Sequence, residues 1–254
     1  MAAWGARNVY SVEIHGPMVE THGKVRRARF PNANNVHQMR GDVSWLPLAD
    51  RSVDLVPSIE AVSHYCDVPA FLDECQRVLR PGGHLVISDG NNGANARIQR
   101  DTHELWKRME IGPHGPCMTH NVQETMSERR VRFLRENFPG MDEARANALA
   151  EITSGLAGDE LREAGRRALA GERIRESRWR PGTCPRDPHW GYWVEWLFDP
   201  RGLAMELENR GFDARPVPHY AGAGNDLLLM ANSVLRAVLG FRYARTFRLV
   251  AKRR

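Results

Sequence analysis

The fold is decided by one stretch of the chain, which reads Val78-Leu79-Arg80-Pro81-Gly82-Gly83-His84-Leu85-Val86-Ile87-Ser88-Asp89. The segment that leads into it begins near Pro69 and repeats apolar residues at the spacing of one buried helical face. Pro81-Gly82-Gly83 predicts a turn, and Leu85-Val86-Ile87 is apolar without alternation, as expected of a strand covered on both faces. The stretch therefore predicts the helix-to-strand half of a βαβ unit in a parallel sheet, and an α/β fold.

Strand and helix patterns alternate on both sides of this stretch. Upstream, strands are predicted over residues 9–14, 36–40 and 53–59, with a helix over residues 17–28. Downstream, residues 200–210 and 226–239 predict helices, and residues 212–217 and 246–251 predict strands. Alternating apolar positions in the last of these predict a half-exposed strand at a sheet edge. Crossovers of this kind build a mostly parallel, doubly wound sheet.

The segment over residues 95–198 differs from its surroundings and interrupts the alternation before the last two strands. Up to about residue 180 it is rich in Arg, Glu and Ala and shows no strand pattern, which predicts an inserted helical cap. Acidic residues alternate with the arginines, as in Glu163 and Arg167, and this is typical of a solvated helix face. We therefore interpret the chain as one domain with a sheet part at residues 1–94, an insert at residues 95–198 and closing strands at residues 199–254.

A cluster of aromatic residues ends the insert. It consists of Trp190, Tyr192, Trp193 and Trp196. These side chains either line a pocket or pin a loop to the body of the protein, and the pattern alone does not separate the two.

Composition limits the class of protein. The chain has 254 residues and a formal net charge of +5, which allows an anionic partner, but it has no aromatic-basic motif of the kind that binds nucleic acids. No apolar run approaches the ~20 residues needed to span a bilayer, and the N-terminus lacks a secretory pattern, so we expect no membrane partner and a cytoplasmic location. The four cysteines have no CxxC spacing, which argues against a disulfide framework or a cysteine zinc site.

Taken together, these positions resemble the class I S-adenosylmethionine-dependent methyltransferases, particularly those acting on small molecules. The matching pieces follow one another in order: the strand ending at Glu13, Gly41-Asp42 with Leu46-Pro47-Leu48, Asp54-Leu55-Val56, Glu74 with the stretch from Arg77 to Gly83, and Gly211-Phe212. The resemblance implies a Rossmann-like sheet with an antiparallel last strand and S-adenosyl-L-methionine at the carboxyl ends of the strands. Residues 95–195 match no family motif.

The resemblance also implies a donor-binding set. Glu13 would take the ribose hydroxyls and Asp42 the adenine amino group, while Val43 would present a backbone N–H to the ring. Ile14 and Ser58 belong to the same predicted set. A strand-end carboxylate suits a diol because it accepts two hydrogen bonds at once. The alternatives are a solvated strand-end acid for Glu13 and a turn-forming Asx residue for Asp42.

One part of the family pattern is missing. The first strand and its glycine-rich loop, acidic-x-Gly-x-Gly-x-Gly, should precede Val9 by about 20 residues, whereas eight residues precede Val9. That strand normally lies between the strands of Glu13 and Asp54, so we expect two sheet edges without a partner. A start codon assigned too late, a fragment and a domain that no longer catalyses would each explain the gap, and the first is the interpretation that we favour.

Candidate residues for the acceptor side follow from position. His64 lies just beyond the third predicted strand, where the family places residues that face the methyl group, and it is the candidate general base. Tyr65, Asn91, Asn92 and Trp193 are the candidate substrate-binding residues. A helix cap or a surface position is the alternative for His64.

Two histidines and a cysteine raise the question of a metal site. His114, Cys117 and His120 do not have the spacing of a zinc motif, and Gly115-Pro116 breaks any helical face, so no metal site is predicted.

The sequence thus predicts a methyltransferase that transfers a methyl group to a small-molecule acceptor by in-line displacement. The alternative is a non-catalytic methyltransferase-like subunit that binds a partner through the helical insert. The sequence does not specify the accepting atom or the oligomeric state.

Overall fold

The computed structural model describes residues 5–118, 120–220 and 234–254. The first half of the chain alternates strands and helices: β1 (Val9–Glu13), α1 (Gly16–Arg29), β2 (Val36–Arg40), β3 (Val53–Ile59), α2 (Val68–Val78) and β4 (Leu79–Asp89). The α/β prediction is confirmed, and helices α1 and α2 begin within one residue of the predicted positions. The Asp67 carboxylate caps α2 by accepting from the backbone N–H of Ala70 at 2.9 Å.

The second half contains the insert and the closing strands. Its elements are α3 (Ala96–Ile111), β5 (Gly115–Cys117), β6 (His120–Val122), α4 (Met126–Asn137), α5 (Glu143–Ile152), α6 (Gly158–Leu169), α7 (Pro200–Asn209), β7 (Phe212–His219) and β8 (Thr246–Arg253). Most of the predicted helix over residues 226–239 falls on residues 221–233, which lie outside the described residues. No described helix is long and apolar enough to cross a membrane.

The main sheet is mixed rather than mostly parallel. Its strand order is β3-β4-β8-β7, with β3 parallel to β4 and β8 antiparallel to both of its neighbours. The family's antiparallel last strand is therefore present. The prediction that this strand lies at an edge is wrong, because β8 lies between β4 and β7. Its alternation instead reflects one covered face, on which Phe247, Leu249 and Ala251 are fully buried.

Strands β1 and β2 form a separate parallel pair. Within the described residues neither pairs with the main sheet, so β1 and β3 each have an open edge, in line with the two unpartnered sheet edges expected from the sequence. Pro57 lies within β3, and a proline is tolerated there because an edge strand needs no ladder donor on its open side.

The deciding stretch forms a longer strand than predicted. Residues 79–89 all belong to β4, and the Pro-Gly-Gly turn is an irregularity inside it, where the pairing with β3 jumps from Val53–Leu79 to Leu55–His84. Gly82 has a φ of 80°, which favours glycine. A Cβ on Gly83 would lie 2.9 Å from the carbonyl oxygen of Arg80, so this position has no room for a side chain.

The insert corrects two further expectations. It is not wholly helical, because β5 and β6 form a short antiparallel hairpin. Arg167 pairs with Glu172 and Glu176 rather than with Glu163, whose carboxylate contacts Arg166. A hydrophobic cluster over residues 133–174 stabilises the insert, and a second cluster fills the space between the main sheet, α2 and α7.

Candidate functional site

The carboxyl ends of β1 and β2 bring Glu13 and Asp42 to one edge of the fold. The two strands are parallel, with Glu13 opposite Arg40, and the backbone N–H of Gly41 donates to the carbonyl oxygen of Glu13 at 3.1 Å. Asp42 follows directly. This edge, beyond the carboxyl ends of parallel strands, is where open α/β sheets bind ligands.

Glu13 presents a partly occupied carboxylate. Its Oε1 accepts from the backbone N–H of His15 at 2.9 Å, and Oε2 has no hydrogen-bond partner among the described residues. The side chain is half-buried. A carboxylate held in this way retains acceptor positions for a pair of hydroxyl groups.

Asp42 forms an Asx turn, which was the alternative to ligand binding. Its Oδ1 accepts from both the backbone N–H and the hydroxyl of Ser44, at 2.9 and 2.7 Å. Because both bonds go to one oxygen, the turn orients the carboxylate without occupying Oδ2 within the described part of the chain. Val43 packs against the main hydrophobic cluster, and the Ile14 side chain is exposed.

The loop after Asp42 is fixed by two charged residues of α2. The Glu74 carboxylate accepts from the backbone N–H of Leu46 at 2.6 Å, and Arg77 donates to the carbonyl oxygens of Leu46 and Leu48. The side-chain hydrogen bond from Arg77 lowers the pKa of Glu74. These contacts bring distant pieces of the family motif together and hold the Asp42 loop against the sheet.

Ser58 and Tyr65 meet at the carboxyl end of β3. The Ser58 hydroxyl is buried and lies 3.1 Å from the phenolic oxygen of Tyr65. Burial raises the pKa of Tyr65, and the charges of Asp89 and Glu13 add to the effect. The phenol therefore stays protonated at neutral pH and can donate a hydrogen bond.

A second pair of carboxylates lies where β3 and β4 end. Asp89 is 1% exposed and accepts from the backbone N–H groups of Asn91 and Ser63, at 3.0 and 3.3 Å. Burial raises its pKa, while the nearby His64 acts in the opposite direction. Glu60 accepts from Gly90 N–H at 3.2 Å, and burial followed by the charge of Asp89 raises its pKa. The exposed His64 imidazole thus lies near a buried acid.

Asn92 does not fit its predicted role. Its side chain is fully buried, and Nδ2 donates to the carbonyl oxygens of Phe241 and Ala244 at 2.8 and 2.9 Å. Its Oδ1 accepts from Ala94 N–H at 3.1 Å. The residue joins the loop after β4 to the segment before β8 and is inaccessible to a substrate in this structure, whereas the neighbouring Asn91 is half-buried.

The aromatic segment at the end of the insert crosses the same edge. The indole Nε1 of Trp193 donates to the carbonyl oxygen of Cys66 at 3.2 Å, and the backbone N–H of Trp196 donates to Ser63 at 2.8 Å. The Trp193 and Trp196 rings are 4.8 Å apart. The cluster therefore pins its loop to the body, and by doing so it brings Trp193 beside residues 63–66.

The histidines of the hairpin region have other contacts. His114 Nε2 lies 2.9 Å from Glu128 Oε2, in the capping box of α4. Among the described residues, no group of three or more His, Cys, Asp or Glu side chains could hold a metal ion.

Sequence reasoning missed two features of the site. Glu60 directly follows the third predicted strand, so the strand-end rule that selected Glu13 could have found it. His15 contacts the insert through its ring, which no local pattern indicates because the partner residues are far away in the chain.

Comparison with known proteins agrees with the resemblance over the first third of the chain. Residues 1–87 match the family described as a methyltransferase domain. A probable S-adenosylmethionine-dependent methyltransferase of Mycolicibacterium smegmatis is 43% identical over 65 residues, which cover 26% of this chain and 24% of that protein. A malonyl-[acyl-carrier protein] O-methyltransferase of a Marinomonas species is 39% identical over 77 residues, covering 30% of this chain and 28% of the relative.

The matches thus span about a quarter of each of these relatives. Among solved structures, an S-adenosylmethionine-dependent methyltransferase of Mesorhizobium loti is 16% identical, with a TM-score of 0.45 over 98% of this chain and 81% of that one.

Proposed function

We propose that residues 1–87, which match the methyltransferase-domain family, bind S-adenosyl-L-methionine, and that the chain transfers its methyl group to a small-molecule acceptor. The observation that carries this proposal is the meeting of Glu13 and Asp42 at the carboxyl edge of a parallel strand pair. Each carboxylate is oriented by a backbone N–H and keeps one oxygen without a partner among the described residues.

Each residue of the donor set has a distinct part in binding. Glu13 would accept from the ribose hydroxyls, and Asp42 Oδ2 from the adenine amino group. Val43 would supply a backbone N–H to the ring, and the exposed Ile14 an apolar contact with it. The buried Ser58 hydroxyl, paired with Tyr65, would close the donor site on the β3 side.

The acceptor side follows from the same geometry. The bound donor supplies a methyl group on a sulfonium, and its transfer needs mainly alignment and a nucleophile without its proton. His64, exposed beside the buried Asp89, is the proposed general base. Tyr65 would donate a hydrogen bond to the acceptor, while Asn91 and Trp193 would hold it in place.

An oxygen acceptor is the class to test first. The imidazole of His64 is a suitable base for a hydroxyl group, and a carboxylate needs no base at all. One relative is an O-methyltransferase acting on a malonyl group. Transfer of a tritium-labelled methyl group to carboxylic acids and to alcohols distinguishes carboxylate acceptors from hydroxyl acceptors. Only transfer to alcohols should fall when His64 is replaced by Gln.

Donor binding is tested by calorimetry with S-adenosylhomocysteine. Glu13→Gln keeps the shape of the side chain but removes its charge, and charge-assisted hydrogen bonds contribute about 1.5–3 kcal/mol, so affinity should fall roughly tenfold or more. Asp54→Asn is the matched control, because Asp54 is an exposed strand residue paired with Arg80 at the opposite end of β3. Absence of binding by the unmodified chain, or equal binding by both variants, would contradict the proposal.

A further inference from the structure

The turn that carries Trp190 is rigid. Asp187 is buried, and its Oδ1 accepts from the backbone N–H groups of His189 and Trp190, both at 2.9 Å. The backbone of Asp187 also accepts from Gly191 N–H and donates to the carbonyl oxygen of Tyr192, each at 2.9 Å. The other carboxylate oxygen of Asp187 lies 2.5 Å from Arg129. Residues 187–192 therefore form a closed turn that the buried carboxylate of Asp187 fixes.

Trp190 projects from this turn beside the donor-site carboxylate. Its ring centroid lies 5.3 Å from that of His15, in an edge-to-face arrangement, and Tyr192 approaches the same imidazole at 6.2 Å. The backbone N–H of His15 is the group that donates to Glu13. The insert thus reaches across the carboxyl edge and places an indole against His15, which lies two residues after Glu13 in the chain.

The exposure of Trp190 is not explained by packing. The residue is 68% exposed, although the turn beneath it is fixed by hydrogen bonds. A large aromatic ring that is carried on a fixed turn and remains mostly exposed loses little conformational entropy when a flat ligand covers it. The purine of an adenosyl group is such a ligand, and the neighbouring carboxylate is the one assigned to its ribose.

We propose that Trp190 forms a wall of the donor site and packs its indole face against the adenosyl half of the donor. This inference rests on the proposed function and adds a binding residue from the insert, a region outside the residues matched by the family. The insert then contributes to donor affinity as well as to the acceptor side. Because the contact is with the adenosyl half, 5′-methylthioadenosine should report it as well as S-adenosylhomocysteine does.

The test compares Trp190→Ala, Trp190→Phe and Phe30→Ala by calorimetry with both ligands. Base-aromatic stacking contributes about 1–3 kcal/mol, so Trp190→Ala should weaken both ligands by about tenfold, whereas Trp190→Phe should stay within about threefold of the unmodified chain. Phe30 is the matched control, because it is an exposed aromatic residue at the far end of α1 and should leave both affinities unchanged.

The outcomes separate the inference from the function on which it rests. If the unmodified chain binds neither ligand, both are overturned. If it binds and Trp190→Ala binds equally well, only the inference about Trp190 is overturned, and an equal loss in Phe30→Ala overturns it too. A tenfold loss confined to Trp190→Ala, equal for the two ligands, supports it.

Discussion

A buried ion pair in the insert gives the sharpest prediction about stability. Glu110, in the last turn of α3, lies 2.5 Å from Arg130 of α4, and both side chains are fully buried. Arg130 also donates to the carbonyl oxygen of Ala150 at 2.9 Å and to the Ser154 hydroxyl at 3.1 Å. One guanidinium therefore joins α3, α4 and the end of α5. The perturbation is Glu110→Gln, which preserves shape and removes the negative charge.

The size of the effect follows from burial. Removing one partner of a buried pair costs about 3–5 kcal/mol, because the remaining charge stays in the interior without compensation. Domains are stable by only about 5–15 kcal/mol, so the variant loses a large part of the total. Replacing both residues by apolar ones, as in Glu110→Leu with Arg130→Met, removes the uncompensated charge and should recover most of the loss.

The assay is urea unfolding followed by far-ultraviolet circular dichroism, at low and at high salt. With a urea dependence of about 1–3 kcal/mol per molar, the unfolding midpoint of Glu110→Gln should fall by about 1–5 M. Salt should not change this difference, because buried pairs are screened little. Asp54→Asn is the control, since it breaks an exposed pair with Arg80 that contributes roughly 0–1 kcal/mol.

A loss below about 1 kcal/mol for Glu110→Gln would refute the reasoning, since a buried uncompensated charge could not cost so little. A double replacement that is less stable than Glu110→Gln would also refute it. That result would mean that the hydrogen bonds of Arg130 to Ala150 and Ser154, rather than charge compensation, dominate the energetics.

Three further predictions concern other parts of the molecule. Arg77→Lys should lower the free energy of unfolding by about 1–3 kcal/mol and speed proteolysis within residues 46–50, because an ammonium group cannot replace the several guanidinium bonds that hold this loop. Gly165→Ala should destabilise by about 1–3 kcal/mol in thermal melting despite the better helix propensity of alanine, since its Cβ would overlap the Phe138 ring. Asp89 has a raised pKa in the folded protein, so its contribution to stability is present below its unfolded value and is lost as pH rises through the folded value. The stability of the unmodified chain relative to Asp89→Asn should therefore fall in urea titrations as the pH rises above the ordinary aspartate pKa of about 3.9, and a constant difference would contradict this.

The elements with clear periodicity could be predicted from the sequence. Helix α2 was predictable because a proline start and a repeating apolar face agree, and β1 to β3 because short apolar runs end in polar turns. The hairpin over residues 115–122 could not be predicted, since strands of three residues are too short to show alternation. The position of β8 was also inaccessible, because alternation reports one covered face and carries no information on how many neighbours pair with the strand.

The candidate site was predictable for residues at strand ends. It was unpredictable for residues whose position or accessibility depends on long-range contacts. Glu13 is the last residue of β1 and Asp42 lies just beyond β2, so the strand-end rule finds them. Asn92 also lies just beyond a strand end, yet its side-chain amide donates to carbonyl oxygens about 150 residues further along the chain. The contact between Trp190 and His15 likewise joins the insert to the residue before α1, and no sequence period connects them.

The separation of β1 and β2 from the main sheet has a consequence for local opening of the fold. In the described residues the unit β1-α1-β2 shares no ladder hydrogen bonds with β3, so its amides can exchange through local opening without disrupting the four-stranded sheet. Glu13 and Asp42 both lie in or beside this unit. A ligand held by the two carboxylates and by Tyr65 or Trp190 would then connect the unit β1-α1-β2 to the rest of the molecule. Its binding should therefore slow amide exchange in β1 and β2.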